Sequence, residues 1–155
     1  MNTIREGETA LSTDPANQPD AGVAFIGRIH SPWRRGTAPR NISKARKEAH
    51  APWIELAPEW EPALAGLEVG QAIFVLYWMD RARRDLLTQK PAHASTARGT
   101  FSLRSPNRPN PVALAAVRIT SLEGARIGID AIDCFDGTPV IDIKPWSPSI
   151  DIPPG

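Results

Sequence analysis

The sequence predicts an all-β protein: an antiparallel barrel of six or seven strands, with long basic loops and at most short helices. The chain has 155 residues, the length of one ordinary domain, and 41% of them are hydrophobic. Its 16 prolines are about twice the average share and disfavour a helical bundle, because proline removes a backbone donor. Short apolar runs recur between turn signals, with no helical segment that would connect parallel strands.

The expected strands follow one another between proline and glycine turns. They are residues 23–29, 53–56, 73–79, 99–103, 112–119, 126–132 and 140–143. The run 73–79 is continuously apolar and predicts the most buried strand, while Glu123-Gly124 predicts a hairpin. Residues 58–64 predict one helical turn, and residues 80–91 predict either a short helix or a basic loop.

The remaining segments set the expected domain boundaries. Residues 1–20 are polar and aperiodic and predict a flexible tail, residues 21–150 form the barrel domain, and residues 151–155 are a C-terminal tail. Residues 34–51 have no sustained period and predict a long loop. Loops of that length in a compact domain are usually functional or disordered.

The net charge is only +1, but the charges are unevenly distributed. Residues 28–47 carry seven basic side chains and no acid, and residues 81–108 carry seven more with Asp85 as the only acid. The carboxylates gather after residue 122. Two basic loops on one face suit a polyanion such as nucleic acid, and the alternative is that they are solvated surface charges.

Several classes of site are excluded or disfavoured. Cys134 is the only cysteine, so there is neither an intramolecular disulfide nor a cysteine-rich zinc site, and we interpret it as a buried apolar residue. The three histidines, His30, His50 and His93, lack the spacing of metal ligands, so no metal is expected. No glycine-rich phosphate loop follows a strand. No apolar run is long enough for a membrane span or a signal peptide, which predicts a cytoplasmic protein.

Two segments are candidates for binding chemistry. Residues 104–111 contain three prolines, which fix the backbone and leave Arg104, Arg108 and Asn110 projecting as donors for carboxylate or phosphate. In residues 130–145, carboxylates beside a turn can accept hydrogen bonds from ribose hydroxyls or an ammonium group. The alternatives are a rigid turn with incidental arginines for the first segment, and turn and cap bonding for the second.

These segments also carry a family resemblance. The chain resembles the TsaA-like family, whose best-known members are the TrmO-type tRNA N6-adenosine methyltransferases. The matching motifs are residues 25–32, Pro39-Arg40, residues 66–68, the Arg-Ser-Pro-x-Arg-Pro-Asn-Pro loop at 104–111, and Asp-Gly-Thr-Pro-x-x-Asp-Ile-Lys-Pro at 136–145. Together they span about residues 23–148, and the last two in one chain are highly specific.

The resemblance implies a β-barrel that binds S-adenosylmethionine, usually as a homodimer with the cofactor near the subunit interface. It implies methyl transfer to N6-threonylcarbamoyladenosine at position 37 of tRNA, with tRNA as the partner and neither DNA nor a membrane. Family members often have His-Gln where this chain has Asp80-Arg81. The implied cofactor contacts are Arg40, Asn41, Asp80, Arg81, Arg104, Leu114, Asp130, Ala131, Ile132 and Asp133.

The remaining site residues combine the resemblance with the chemistry above. The candidate catalytic residues are Asp133, Asp136, Arg108 and Asn110, with either aspartate available to take a proton or to position substrate. The candidate tRNA-binding residues are Arg34, Arg35, Lys44, Arg46 and Lys47. Two alternatives stay open: a non-catalytic module that binds S-adenosylmethionine or RNA, and a small-molecule methyltransferase.

Overall fold

The protein is all-β over residues 3–155, which are the residues that a computed structural model describes. Met1 and Asn2, the start of the expected tail, lie outside them. The strands are β1 (Thr9–Ala10), β2 (Gly27–His30), β3 (Trp53–Leu56), β4 (Ala72–Trp78), β5 (Leu86–Gln89), β6 (Arg98–Gly99), β7 (Val112–Glu123), β8 (Arg126–Ile129) and β9 (Thr138–Pro145). The helices α1 (Ile42–Ala45) and α2 (Pro148–Asp151) have four residues each, and 3₁₀ turns cover Pro15–Asn17, Pro58–Leu64 and Thr100–Ser102.

Six strands close into a barrel in the order β2-β3-β8-β7-β4-β9. The registers described for this sheet are antiparallel, so the predicted fold class is confirmed. Residues 24–78 and 114–155 pack as one compact unit that contains most of the barrel. Residues 3–23 and 79–113 pack as a second, smaller unit. Compact packing is a different property from domain boundaries, so the predicted spans 1–20, 21–150 and 151–155 stay predictions.

The barrel core follows from the alternation of buried and more exposed residues along β4 and the middle of β7. In β4 the buried residues are Ile73, Val75 and Tyr77, and every second residue of β7 from 115 to 119 is buried. Alternate side chains of a strand point to opposite faces, so one face of each strand fills the barrel. Isoleucines from β2, β3 and β8 complete this interior, with no more than 1% of their surface exposed. Gly124, with a φ of +58°, makes the predicted hairpin turn between β7 and β8.

The smaller unit is built around a three-stranded sheet in the order β1-β5-β6. Its interior contains a buried polar contact: the Gln89 side-chain amide donates to Thr100 Oγ1 at 3.0 Å and to the Asn107 carbonyl at 2.6 Å. Thr100 Oγ1 in turn donates to the Leu86 carbonyl at 2.8 Å. Buried polar groups need such partners, and these bonds join β5 to the segments that follow it.

The elements predicted at residues 80–91 and 99–103 are wrong, and the expected N-terminal tail contains secondary structure. Residues 80–91 form neither a helix nor only a loop, because β5 occupies four of them. The strand predicted at 99–103 is a 3₁₀ turn after the two-residue β6. Within the expected tail, β1 pairs with β5, and Asp14 caps the 3₁₀ turn that follows. No helix in the described part of the chain is long and apolar enough to cross a membrane.

Candidate functional site

The segment between β8 and β9, residues 130–137, is called the acidic loop here because it carries three aspartates. It has no strand partner over most of its length, so its backbone polar groups must find other ones. The partners come mainly from residues 31–52, the long loop between β2 and β3. Both loops belong to the barrel unit.

Ile132 is the most tightly held residue of the acidic loop. It is fully buried, and Trp33 Nε1 donates to its carbonyl at 2.7 Å. Its amide donates to His50 Nε2 at 3.3 Å. The Trp33 and His50 rings are themselves in contact, with centroids 5.0 Å apart. The long loop therefore satisfies both backbone groups of a residue that the sequence analysis placed at the cofactor.

The long loop holds the acidic loop at two further points. Ser31 Oγ donates to the Cys134 carbonyl at 2.7 Å, and the Asp136 amide donates to the Trp33 carbonyl at 2.9 Å. The Gly137 amide then donates to the Ile29 carbonyl at 2.8 Å, where β9 is about to begin. The main chain from residue 132 to residue 137 is thus fixed before any ligand binds, which lowers the entropy cost of binding.

The three aspartates of the acidic loop differ in what they bond. Asp130 accepts from the Arg118 amide at 2.8 Å, and Asp136 accepts from the Ser31 amide at 3.1 Å, as capping side chains do. Asp133 instead accepts a hydrogen bond from the Tyr77 hydroxyl at 3.0 Å, beside the barrel core. Asp133 is thus oriented by a neutral side-chain hydroxyl, whereas Asp130 and Asp136 accept from backbone amides and also lie near the cationic or imidazole side chains of Arg46 and His30.

The basic residues of the long loop fall into two groups. Asn41 caps α1 by accepting from the Lys44 amide at 3.0 Å. Arg46, just after α1, donates from Nη2 to the Ala116 carbonyl at 2.7 Å, and its Nε lies 3.5 Å from Asp130 Oδ2. The other candidate phosphate contacts are exposed, and among the described residues their side chains make no ion pair: Arg34, Arg35, Lys44 and Lys47.

A second cluster lies on the outer face of β2, β3 and β8. The His30 ring stacks on Trp53 at 4.0 Å, and the Arg126 guanidinium lies 3.7 Å from the Trp53 ring. His30 Nε2 is 2.7 Å from Glu55, and its Nδ1 is 3.7 Å from Asp136. These contacts connect Asp136 to the barrel wall through an imidazole between two carboxylates.

In the smaller unit, residues 104–111 form the proline loop. Arg108 Nη1 donates to the Leu103 carbonyl at 3.1 Å and to the Ser105 carbonyl at 3.0 Å, so part of its guanidinium closes its own loop. Arg84 donates to the Pro109 carbonyl at 2.6 Å and to Asn110 Oδ1 at 3.2 Å. Arg104 is exposed. The expected stiffness of this loop therefore has a second source besides proline.

Next to the proline loop, Arg83 binds Asp85 through two nitrogen–oxygen contacts of 2.9 and 2.6 Å. This pairing lowers the pKa of Asp85 and raises that of Arg83, because each charge stabilises the other. The Arg83 amide also donates to Asn107 Oδ1 at 3.0 Å. These bonds order the start of the smaller unit's second segment, which includes Asp80 and Arg81.

The residues that position the acidic loop were absent from the sequence-based candidates. Trp33, His50 and Ser31 act through bonds between residues 82 to 103 positions apart, for which the sequence carries no local signal. For Tyr77 a signal exists, because a tyrosine within a buried strand needs a partner for its hydroxyl. A carboxylate elsewhere in the chain was therefore a foreseeable partner.

Comparison with known proteins adds a family and several relatives. The profile of the tRNA-methyltransferase O N-terminal domain matches residues 28–152. A probable S-adenosyl-L-methionine-binding protein from Archaeoglobus fulgidus is 40% identical over 126 residues, which are 81% of this chain and 34% of that protein. The probable S-adenosyl-L-methionine-binding protein VirR from Rhizobium radiobacter is 35% identical over 143 residues, which are 92% of this chain and 79% of VirR.

Solved structures agree with these relatives. A crystal structure of TrmO matches with a TM-score of 0.68 and 32% identity, over 85% of this chain and 60% of that one. A crystal structure of TrmO from Pseudomonas aeruginosa gives a TM-score of 0.67 and 31% identity, over 85% of this chain and 58% of that one. The chain thus spans about a third of the Archaeoglobus relative and three fifths of TrmO.

Proposed function

Because the chain belongs to the family of the tRNA-methyltransferase O N-terminal domain, we propose that it transfers a methyl group from S-adenosylmethionine to tRNA. The proposed acceptor is the N6 nitrogen of N6-threonylcarbamoyladenosine at position 37. Support for the cofactor comes from relatives named as S-adenosylmethionine-binding proteins. The observation that carries the proposal is the acidic loop, whose main chain is fixed and whose Asp133 carboxylate is held by Tyr77.

The donor set of the acidic loop fits such a cofactor. Ribose hydroxyls and an ammonium group both need acceptors, and the loop presents carboxylates at residues 130, 133 and 136. When bound, S-adenosylmethionine would supply a methyl group on a sulfonium, open to in-line displacement by the acceptor nitrogen with the neutral thioether as the leaving group. Such a displacement needs alignment above all, which a pre-fixed loop provides.

The roles of the chain's own residues follow from their surroundings. We assign Asp133 to receive the proton that the acceptor nitrogen loses, because its carboxylate is only partly buried and is oriented by one neutral donor. Asp136 is assigned to positioning, because it already accepts from the Ser31 amide. Arg108 and Asn110 are proposed to orient the substrate's threonyl carboxylate or amide.

The proposed cofactor contacts are the residues that the family resemblance implies. They are Arg40, Asn41, Asp80, Arg81, Arg104, Leu114 and residues 130–133. Arg104 is proposed to bind the cofactor's carboxylate through charge-assisted hydrogen bonds. The proposal extends to a homodimer and to a cytoplasmic location, where tRNA is modified.

The proposed tRNA contacts are the exposed basic residues of the long loop. Arg34, Arg35, Lys44 and Lys47 suit phosphates because their side chains are available to solvent. Arg46 is less available to a phosphate, since its guanidinium already bonds the Ala116 carbonyl.

A second candidate function is binding of S-adenosylmethionine without transfer. It is favoured by the names of these two relatives, which state binding alone.

Calorimetric titration tests the cofactor assignment first. We expect one S-adenosylmethionine per chain, and Arg104→Ala should weaken binding by about 1.5–3 kcal/mol, roughly 10- to 160-fold, because a charge-assisted hydrogen bond is lost. The matched control is Arg98→Ala, another exposed arginine of the smaller unit, which should bind like the wild type. An absence of binding heat in the wild type would remove the basis of the proposal.

A further inference from the structure

The amide of Ile132 has an unusual partner for a buried backbone group. It lies three residues beyond the end of β8, and the side chain of His50 rather than another strand accepts its hydrogen. The Ile132 carbonyl is bonded by Trp33, another side chain of the long loop. A buried amide left without an acceptor costs roughly 1–3 kcal/mol, so this contact matters for where the acidic loop sits.

The contact defines the chemical state of His50. Since the Ile132 amide donates to Nε2, that nitrogen carries no proton. The proton of the neutral ring is then on Nδ1, which is 2.8 Å from the Glu48 carbonyl and donates to it. A protonated imidazole has two donors and no acceptor, so it would face the Ile132 amide with a second N–H. The two functions of this ring are therefore compatible only with the neutral form.

We propose that His50 is a positioning residue of the cofactor site, holding the acidic loop in its binding geometry only while its imidazole is neutral. The inference rests on the proposed function, since Ile132 lies among the residues assigned to S-adenosylmethionine. Protonation of His50 releases the Ile132 amide, while the Trp33 bond to the carbonyl is unaffected by pH. Asp130 and Asp133, on either side of Ile132, lose their fixed spacing, and cofactor affinity falls.

Other ionisable groups lie on the same two loops as His50 and Ile132. On the long loop they are Arg46, Lys47 and Glu48, and on the acidic loop they are Asp130, Asp133, Asp136 and the Cys134 thiol. A second imidazole, that of His30, lies beside Asp136. The test must therefore separate His50 from every other titrating group, the ligand's own included.

Two substitutions make that separation. His50→Gln keeps an acceptor oxygen for the Ile132 amide and cannot be protonated, whereas His50→Leu keeps the bulk and removes the acceptor. The measurement is the dissociation constant of S-adenosylmethionine by calorimetry from pH 7.5 to pH 5.5. Since every other ionisable group is common to the variants, the difference between wild type and His50→Gln reports His50 alone.

We expect the wild type to lose affinity by about five- to tenfold as the pH falls, as one released amide hydrogen bond predicts. His50→Gln should bind within about threefold of the wild type at pH 7.5 and lose that extra pH dependence. His50→Leu should bind about fivefold or more weakly at pH 7.5. The Ile132 amide resonance should shift with pH in the wild type and not in His50→Gln.

Different failures have different meanings. If the wild type and both variants bind with the same affinity and the same pH dependence, the role of His50 is wrong while cofactor binding stands. If the wild type does not bind S-adenosylmethionine, the proposed function fails and this role fails with it. If His50→Leu does not fold, the comparison of the wild type with His50→Gln decides, because a pH dependence shared by both overturns the proposal.

Discussion

Several side chains of the barrel unit donate hydrogen bonds to backbone carbonyls that have no strand partner. Trp33, only 7% exposed, donates to a carbonyl of the acidic loop, and Ser31 donates to another two residues later. Arg46 donates to the carbonyl of Ala116, which lies in β7 before the stretch 119–123 that pairs with β8. Each replaces a bond that a strand would supply, so a mutation at these positions costs loop order, and at the buried Trp33 it costs core volume as well.

Cys134 gives a prediction at the residue scale. The residue is 2% exposed, and burial raises the pKa of its thiol to about 12, with Asp133 and Asp136 adding to the shift. Because the thiolate is the reactive form, almost none is present at pH 8. We expect no measurable reaction with a disulfide reagent such as Ellman's over an hour in the native protein. One equivalent should react after unfolding in guanidinium chloride, and a fast reaction in native buffer would contradict this burial.

At the scale of the strands, stability depends on how closely neighbouring backbones approach one another. Gly27 pairs with Leu56, and a β-carbon at Gly27 would collide with the Glu55 carbonyl oxygen of β3. Since the obstacle is backbone, it cannot rotate away as a side chain would. This explains physically why a glycine stands in the Ile26-Gly27-Arg28-Ile29 motif at the start of the barrel.

Gly27→Ala should therefore destabilise the protein by about 2 kcal/mol or more, since β2 and β3 must separate locally. The measurement is the free energy of unfolding from urea denaturation. Gly22→Ala is the matched control, because nothing lies within 4 Å of its added methyl group, and it should change stability by less than about 0.5 kcal/mol. Equal stability of the two variants would refute the close approach of the strands.

Some elements were predictable from the sequence because their signals are local. The strand at 53–56 and the helical turn at 58–64 agree residue for residue with the structure. The strand β5 was missed because it has four residues, lies between basic and proline-containing segments, and is stabilised by pairing with β1 about 80 residues earlier. The predicted strand at 99–103 is a turn because the Thr100 hydroxyl bonds the Leu86 carbonyl.

At the scale of the whole molecule, the fold class was predictable because alternation, turn residues and the apolar run at 73–79 all favour antiparallel strands. For the candidate site, the motifs could be predicted from the sequence, but the contacts that order the acidic loop could not. The residues that order the acidic loop come from a loop without periodicity, so their contacts depend on the closed barrel. The division into two compact units was also unpredictable, because the smaller unit joins two segments distant in sequence.

The charge distribution gives a prediction for the whole molecule. If the long loop binds tRNA phosphates, Arg35→Ala and Lys47→Ala should each weaken tRNA binding and lower the salt slope by somewhat under one unit. Arg46 is left intact because its removal would disturb the Ala116 contact. The control is Lys144→Ala, whose ammonium already pairs with Asp142 at 2.6 Å. The salt slope is measured by filter binding. An unchanged slope in a variant that carries both Arg35→Ala and Lys47→Ala would favour a small-molecule acceptor.

Methyl transfer itself tests the central claim most directly. The purified protein is incubated with S-adenosylmethionine and tRNA that contains N6-threonylcarbamoyladenosine, and the nucleosides are analysed by mass spectrometry. We expect one added methyl group on that nucleoside and none on tRNA lacking the modification. Asp133→Asn should slow transfer by about 100-fold or more at saturating cofactor, a larger loss than any weakening of cofactor binding measured in parallel. Cofactor binding without any methylated nucleoside would contradict the methyltransferase and leave a binding module in its place.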